Sequence, residues 1–324
     1  MGLTNFPNGI TSFGVPVMGA GVQIPSSTGS YYFVSSGTGN NVSQIQTPEI
    51  DTRNFLQRVA MKSGQTLVVS GVTGNAPRDV IAEVAKQHGC RLIEVGKQYH
   101  YRDTMPNHWS LPLVDRPTGY VLDFTGTISG EEQQYRGVQL GLLGHHQAAN
   151  AAVAIATLCE LQHQGWNISE PSIRTGLATV RMPARVEVFP GEPTVIVDTA
   201  HNEASAAALV EVVEQHAPHP RTLVLSISRD KEVRAIVHEL VPHIDCIVVT
   251  QFLENPRAVA IERLAHYVRE VLEQCGHADR IVVECETPTA AWQYVSSEAS
   301  AHELVCITGS FFLAAEMRRF VAAR

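Results

Sequence analysis

The first 48 residues contain no lysine, arginine, aspartate or glutamate, and the first charged side chain is that of Glu49. Gly, Ser, Thr and Asn crowd this stretch, whereas the remainder of the chain has an ordinary globular composition. Such a segment is typical of a flexible or irregular β-rich arm, or of a piece joined from another gene. The composition therefore marks residues 1–50 as a foreign-looking arm.

The chain lacks paired cysteines, a long apolar run and a signal peptide. Its six cysteines are scattered without a Cys-x-x-Cys pair, which indicates reduced thiols and a cytoplasmic protein. His145-His146 has no cysteine partners at zinc-ligand spacing, so we expect no metal site there. No 18 consecutive residues are apolar, and the N-terminus has no basic segment followed by an apolar core. We expect no membrane partner.

Basic residues are too few to suggest a nucleic-acid partner. The chain has 24 Lys and Arg against 32 Asp and Glu, a net charge of −8. This balance gives no support for a broad nucleic-acid-binding surface, although a few local cations can bind a small anion. The length of 324 residues is enough for two domains.

The glycine-rich stretches lack the pattern of a phosphate-binding loop. "GAGVQI" (19–24) and "GTGNNV" (37–42) have no glycine in the sixth position, and neither leads into Lys-Ser/Thr. The single Gly-Lys pair, Gly96-Lys97, is followed by Gln98. We therefore interpret none of these stretches as a phosphate loop.

From about residue 51 apolar strands alternate with amphipathic helices, which predicts an α/β fold. A strand at 66–72, a helix at 76–89 and a strand at 91–96 form a βαβ unit. An irregular, β-rich portion follows at 119–144, and then a helix at 145–161 that is apolar nearly all round and should be deeply packed.

The strand–helix alternation becomes regular after residue 181. It predicts a mostly parallel, Rossmann-like sheet with helices on both faces. We place domain boundaries so that residues 51–181 form a partial α/β domain and residues 182–324 the C-terminal domain.

Polar residues stand where several of these strands end. "VIVDTAHN" places Asp198, His201 and Asn202 at a strand-to-helix junction, and ligands of open α/β sheets bind beyond the carboxyl ends of strands. Taken alone, the triplet is equally consistent with a helix cap and turn, with Asn202 as the cap and Glu203 in the first turn.

Neighbouring junctions favour a ligand site. Arg185 precedes the first strand of the C-terminal domain, where a guanidinium can contact phosphate through two nitrogens. Three further junctions carry polar residues: Asp230-Lys231, Asn255-Pro256-Arg257 and Thr308-Gly309-Ser310. We expect Asp198 and Arg185 to converge on one edge of the sheet.

"DTAHN", "RDK", "ENPRA" and "TGSFFLAAEM", in this order and spacing, resemble the C-terminal domain of the folylpolyglutamate synthase/dihydrofolate synthase branch of the Mur ligase family. "LLGHHQAANAAVA" is similar to the helix that closes the central ATPase domain of that family, and "KSGQTLVVSGVTGNAPRDVIAEVAKQHGCRLIEVGKQYHY" to a preceding segment. The resemblance covers residues 55–324 and implies that residues 51–181 are part of an ATPase-type domain.

The resemblance implies a ligase that uses ATP and Mg²⁺ to activate a folate or dihydropteroate carboxylate, to which L-glutamate is then joined. It makes Asn150, Arg185 and Asp198 the nucleotide-binding residues, on the adenine, phosphate and ribose sides. It makes His201 and Lys231 the catalytic residues. Glutamate is expected around Ser226 and Asp230, beside Lys231.

Two departures from the family pattern stand out. The sequence has Pro-Ala-Arg at 183–185 where Pro-Gly-Arg is typical, an added methyl group that we expect to matter little. The Gly-Lys-Ser/Thr loop, the acidic and histidine metal-binding portion and the lysine of "EKAGI" have no counterpart. The chain is therefore expected to be the second half of such a ligase, without activity of its own.

Three hypotheses follow from these departures. The chain is a folate–glutamate ligase completed by a separate chain that carries the phosphate loop, a non-catalytic remnant or nucleotide-binding module, or a ligase of another Mur branch.

Overall fold

The computed structural model describes residues 66–105, 119–216 and 220–324, together with five short strands nearer the N-terminus. These strands are β1 (Thr4–Asn5), β2 (Thr11–Ser12), β3 (Ser30–Val34), β4 (Val42–Gln46) and β5 (Leu56–Ala60). β1 pairs with β2 and β3 with β4, both antiparallel. The rest of the arm predicted at residues 1–50 lies outside the described residues.

The chain divides into two compact units. The first comprises residues 1–102, 122–137 and 149–173, and the second comprises residues 103–121, 138–148 and 174–324. The units interleave along the sequence, and the boundaries that we drew at residues 51 and 182 remain a prediction.

The first unit contains the predicted βαβ arrangement. β6 (Thr66–Ser70) pairs antiparallel with β5 and parallel with β7 (Arg91–Glu94), and α1 (Asn75–Gln87) connects the two parallel strands. β6 and β7 are apolar enough for Leu67, Val69 and Ile93 to be nearly inaccessible to solvent. The βαβ prediction is confirmed.

A three-stranded sheet and two helices complete the middle of the chain. β8 (Tyr99–Thr104), β9 (Val121–Ile128) and β10 (Glu131–Gln139) form a sheet in the order β10-β9-β8. They are followed by α2 (His145–His163) and α3 (Glu170–Thr179). α2 is buried on most of its circumference, as its continuous apolar sequence predicts.

A six-stranded sheet is the centre of the second unit. Its order is β11-β12-β16-β13-β14-β15, and every pair is parallel except β11 with β12. The strands are β11 (Glu187–Phe189), β12 (Thr194–Val197), β13 (Arg221–Leu225), β14 (Cys246–Val249), β15 (Ile281–Glu284) and β16 (Leu304–Thr308). All residues of β12, β13 and β16 are buried, so both faces of the sheet are covered.

Five helices alternate with these strands: α4 (Glu203–His216), α5 (Val233–Leu240), α6 (Ile261–Gln274), α7 (Pro288–Glu298) and α8 (Phe311–Ala322). A 3-10 turn at Val241–His243 follows α5. One face of the sheet packs against α7 and α8 through a cluster that includes Val197, Val305, Val295 and Leu313. The mostly parallel α/β sheet predicted for the C-terminal region is confirmed. Among the described helices, none combines the length and apolar character needed to cross a membrane.

Candidate functional site

Four neighbouring parallel strands bring their carboxyl ends to one edge of the six-stranded sheet. In spatial order they are β12, β16, β13 and β14. Asp198 follows β12, Gly309 follows β16 and Ser226 follows β13. The strands stay hydrogen-bonded to their neighbours just beyond their last residues. Asp198 N donates to Ile307 O at 2.9 Å, and Ser226 N donates to Thr308 O at 3.4 Å. The predicted clustering of strand-end residues is present.

Arg185 lies between two residues with positive φ. Ala184 has φ of 55° and Val186 has φ of 44°, conformations that are costly for residues other than glycine and most of all for a β-branched one. Each costs on the order of 1–3 kcal/mol and persists only where surrounding contacts enforce it. Such strain concentrates at functional sites, which singles out Arg185 within this loop.

Two carboxylates hold the strained loop. Asp198 Oδ2 accepts a hydrogen bond from Val186 N at 2.8 Å, and Glu187 Oε2 accepts one from Ala184 N at 2.9 Å. Arg318 of α8 in turn binds Glu187 through two nitrogens, at 2.7 and 2.8 Å. The conformation on both sides of Arg185 is thus fixed by ionic groups.

Asp198 is a buried organiser of this edge. Besides Val186 N, its carboxylate accepts a hydrogen bond from Ala200 N at 2.6 Å. Burial raises the pKa of Asp198, while the amide of Val186 and the charge of Arg185 act in the opposite direction. Asp198 and Arg185 are therefore electrostatically coupled. Contact of Asp198 with a ribose remains a prediction, because the carboxylate already serves backbone amides.

The exposed ring of Phe311, at the first position of α8, links Arg185 and His201. The Arg185 guanidinium carbon lies 5.4 Å from the ring centroid, and the His201 ring centroid lies 5.3 Å away. Phe311 is 50% exposed, so its ring is accessible to a ligand. Arg185, Phe311 and His201 form one accessible cation–aromatic–imidazole group.

His201 is held in a neutral state with a defined orientation. Its Nδ1 lies 2.9 Å from Thr199 O, which assigns the ring proton to Nδ1 and leaves a lone pair on Nε2. Burial lowers the pKa of His201, the hydrogen bond to Thr199 O opposes this shift, and the charges of Lys231 and Arg185 lower the pKa further. The side chain is therefore poised to accept a proton through Nε2.

The capping role of Asn202 is confirmed. Asn202 Oδ1 accepts a hydrogen bond from Ser205 N at 2.8 Å, and Ser205 Oγ accepts one from Asn202 N at 3.2 Å. This reciprocal capping box fixes the start of α4 and the position of His201 before it. The two interpretations of the "DTAHN" stretch are thus compatible, because the cap holds the histidine in place.

The predicted glutamate-side residues differ in accessibility. Lys231 Nζ lies 3.8 Å from Asp230 Oδ2, and the Arg257 guanidinium lies 3.9 Å from the same oxygen. Ser226 is fully buried, and its hydroxyl has no hydrogen-bond partner among the described residues. The substrate roles of Ser226 and Asp230 remain predictions.

Buried hydroxyl groups without a partner concentrate at this edge. In the part of the chain that the structure describes, they are those of Thr199, Ser226, Thr250 and Thr308, each within two residues of the carboxyl end of its strand. Nearly all buried polar groups in proteins have a hydrogen-bond partner, so four exceptions on adjacent strands are unusual. These four hydroxyls are buried polar groups at the carboxyl edge of the sheet that can hydrogen-bond a ligand.

His146, at the start of α2, is a site residue that sequence reasoning did not assign. The pKa of His146 is lowered to about 4, mainly by burial and further by the charges of Arg185 and His145. Its Nδ1 is a further buried atom without a partner among the described residues. The signal was the second histidine of "GHHQ", which we considered only as a zinc ligand.

Asn150 belongs to α2 and lies in the first unit, while the other six predicted site residues lie in the second unit. Its role on the adenine side remains a prediction. Within residues 67–105, 119–215 and 220–324, no three His, Cys, Asp or Glu side chains are grouped so as to hold a metal ion.

Phe311, Glu187 and Arg318 were also missed. Their sequence signals were weak: a Phe-Phe pair of which only Phe312 packs inward, against Phe252, and charged residues 131 positions apart. Pairings over such separations arise from the tertiary fold.

Comparison with known proteins places this geometry in context. Residues 184–311 match the family described as "Mur ligase, glutamate ligase domain". The dihydrofolate synthase/folylpolyglutamate synthase of Mycobacterium tuberculosis is 33% identical over 196 residues, which are 57% of this chain and 40% of that protein. The enzyme of the same name from Bacillus subtilis is 28% identical over 254 residues, 78% of this chain and 54% of that protein.

A solved structure shows the same similarity. The Mycobacterium tuberculosis folylpolyglutamate synthase complexed with ADP superposes with a TM-score of 0.67 at 26% identity, over 80% of this chain and 56% of that one. The matched region is the C-terminal part of such enzymes. The chain thus spans about half the length of the curated relatives it matches.

Proposed function

We propose that this chain serves an ATP-dependent ligase that joins L-glutamate to a folate or dihydropteroate carboxylate. The match of residues 184–311 to the Mur ligase, glutamate ligase domain supports this proposal. The names of the relatives support the reaction class. In that reaction ATP transfers its terminal phosphoryl group to the carboxylate, the amine then forms the amide, and phosphate leaves.

The observation that carries this proposal is the strained loop around Arg185. Positive φ on both sides of one arginine is maintained by the Asp198 and Glu187 carboxylates. A guanidinium held in advance at the carboxyl edge of a parallel sheet suits a phosphate group, because its N–H groups match two phosphate oxygens. Arg185 is therefore proposed to bind the nucleotide phosphates.

His201 and Lys231 are proposed to serve amide formation. An incoming ammonium group must lose a proton before it attacks, and neutral His201 offers the lone pair of Nε2 as the acceptor. Lys231, whose side chain is 16% exposed, supplies positive charge for a glutamate carboxylate or the acyl phosphate. Ser226 and Asp230 remain the proposed contacts of the incoming glutamate.

The adenine and ribose contacts are proposed for Asn150 and Asp198, and Mg²⁺ is proposed as the metal that accompanies ATP. All six cysteines are free, which fits a reducing compartment, and we propose the cytoplasm.

We further propose that residues 1–324 alone do not catalyse the ligase reaction. The sequence has no Gly-Lys-Ser/Thr loop, and loss of one preorganised charge-stabilising group commonly costs about 10²–10³ in rate. A separate polypeptide that supplies such a loop is the proposed partner. Without it, the chain acts as a nucleotide-binding module, which is the second candidate function.

Phosphate release from ATP, with L-glutamate and either dihydropteroate or tetrahydrofolate, tests these proposals. The chain alone should show only background release, and the N-terminal half of a relative, added in trans, should raise it. Release at the rate of a complete relative would refute dependence on a second polypeptide. No release with the added half would refute the ligase proposal.

A further inference from the structure

A cationic cavity lies between α5 and α6, in the second unit. Its volume is about 550 Å³, and its lining contains the cations Arg229, Lys231, Arg234 and Arg263 together with Tyr267. Ligand pockets of small molecules fall in this range of volume, roughly 300–1,000 Å³. On a chain with a net charge of −8, four cations around one cavity form a local exception.

Two of these cations are available to a ligand. Arg234 is bound to Glu270 at 2.8 Å, and Lys231 lies 3.8 Å from Asp230. In the part of the chain that the structure describes, no carboxylate lies within ion-pair distance of Arg229 or Arg263. Arg229 donates to Pro256 O at 2.7 Å, and Arg263 donates to Tyr267 Oη at 2.8 Å.

Tyr267 lies next to two of the arginines that make the cavity positive. Its hydroxyl accepts the hydrogen bond from Arg263, and the guanidinium carbons of Arg234 and Arg263 lie 4.3 and 5.5 Å from its ring centroid. The hydrogen bond from Arg263 lowers the pKa of Tyr267, and the charges of Arg263 and Arg234 lower it further. An anion placed near the hydroxyl would meet two guanidinium groups.

The start of α5 adds backbone donors. Arg234 and Ala235 of its first turn line the cavity, and the preceding residue, Glu232, makes no side-chain cap. The amide of Val233 already donates to Lys231 O at 2.8 Å. The first amides of a helix lack intrahelical acceptors and attract anions. These donors supplement the arginines, whose free charge is the primary feature.

We propose that this cavity binds a small anion that carries at least two negative charges, either a phosphate or a compound with two or three carboxylates. Even with Glu232, Asp230 and Glu270 included, four cations face three carboxylates. The surplus charge suits a ligand with several oxygens, which can bridge Arg229 and Arg263. Lys231 is also the lysine proposed for amide formation, so the cavity adjoins the proposed glutamate side, whereas Arg229, Arg234 and Arg263 have no part in the ligase proposal.

Titration calorimetry of the full chain at low ionic strength tests the proposal, with inorganic phosphate in one series and citrate in another. Arg263→Gln should weaken binding of the anion by about tenfold, because the substitution removes one charge-assisted contact at a partly exposed site. Arg269→Gln is the matched control, because Arg269 lies on the same helix and pairs with Glu284 at 2.7 Å. Arg269→Gln should change the affinity for either anion by no more than about twofold.

The two series distinguish phosphate from polycarboxylate ligands, and binding of either one supports the site. Absence of binding by both anions would overturn the proposal. Equal weakening by the two substitutions would also overturn it, since diffuse surface charge would then be responsible. ATP affinity, measured on the same variants, should not change, so failure here leaves the proposed ligase function to be judged by its own assay.

Discussion

At the residue scale, Arg185 was predicted from its position before a strand, but its backbone setting was not. The residue preceding it is alanine where the resembling family typically has glycine, and we expected the methyl group to matter little. The structure gives Ala184 a φ of 55°, a conformation that costs an alanine roughly 1–2 kcal/mol. A sequence reports such a conformation only when glycine occupies it, so this feature escaped prediction.

Ala184→Gly should therefore leave stability nearly unchanged, within about 1 kcal/mol. Relief of the positive φ offsets the lost methyl burial and the greater freedom of the unfolded chain. Ala314→Gly, at an equally buried position inside α8, should cost about 1.5–2 kcal/mol because it has no such relief. Urea unfolding of both variants measures the difference. Equal losses would show that the strain at Ala184 is not real.

At the element scale, hydrophobic periodicity predicted the alternation of strands and helices well. The predicted helix at 76–89 spans Asn75–Gln87, and the one predicted at 145–161 spans His145–His163. α3 was not predicted, because Gly176 and two threonines interrupt its apolar stripe. β8 was not predicted either, since "YHYRDT" is too polar to resemble a buried strand.

The junction between β16 and α8 depends on the glycine of "TGS". Gly309 has φ of +102°, and a Cβ there would lie 2.6 Å from Ser226 O. Gly309→Ala should cost about 3 kcal/mol or more, from strain and a backbone clash at the candidate site. Gly276→Ala, at φ of +75° in open space, is the matched control and should cost only about 1 kcal/mol.

Thermal and denaturant unfolding compare the two glycine variants directly. A similar small loss in both would contradict the close approach of β13 to β16 at this edge. Nucleotide affinity should fall with Gly309→Ala and not with Gly276→Ala, because only Gly309 adjoins Ser310, which caps α8 through its hydrogen bond from Phe312 N.

At the scale of the whole molecule, the buried histidines link stability to pH. The pKa of His146 lies at about 4 instead of 6.5, so the unfolded chain binds a proton in this interval that the folded chain does not. Stability should thus fall as the pH decreases from 6.5 to 4, by up to about 3 kcal/mol for this histidine. His201 contributes with the same sign, and Asp198, whose pKa burial raises, with the opposite sign.

Denaturant unfolding between pH 4.5 and 7.5 isolates the contribution of His146. His146→Gln should flatten the pH dependence relative to the unmodified chain. His238→Gln, which replaces an exposed histidine of α5, should leave it unchanged. An unaltered slope in His146→Gln would mean that this histidine titrates in the folded chain as it does in water.

The architecture of the C-terminal sheet and the residues at its edge could be predicted, because both follow from periodicity and from where strands end. The division into two interleaved units and the ionic support of the Arg185 loop could not. They depend on pairings between distant residues, such as Glu187 with Arg318 and Asp198 with Val186.

ATP titration calorimetry of the full chain tests the central claim most directly, with Arg185→Gln compared with Arg181→Gln. Arg181 lies four residues earlier and donates to the nearby carbonyls of Ala178 and Val180. Arg181→Gln therefore removes the same positive charge as Arg185→Gln without altering the candidate site. We predict measurable binding that weakens by about tenfold in Arg185→Gln and stays unchanged in Arg181→Gln. Binding that is absent, or equal in all three proteins, would contradict a nucleotide site at this edge.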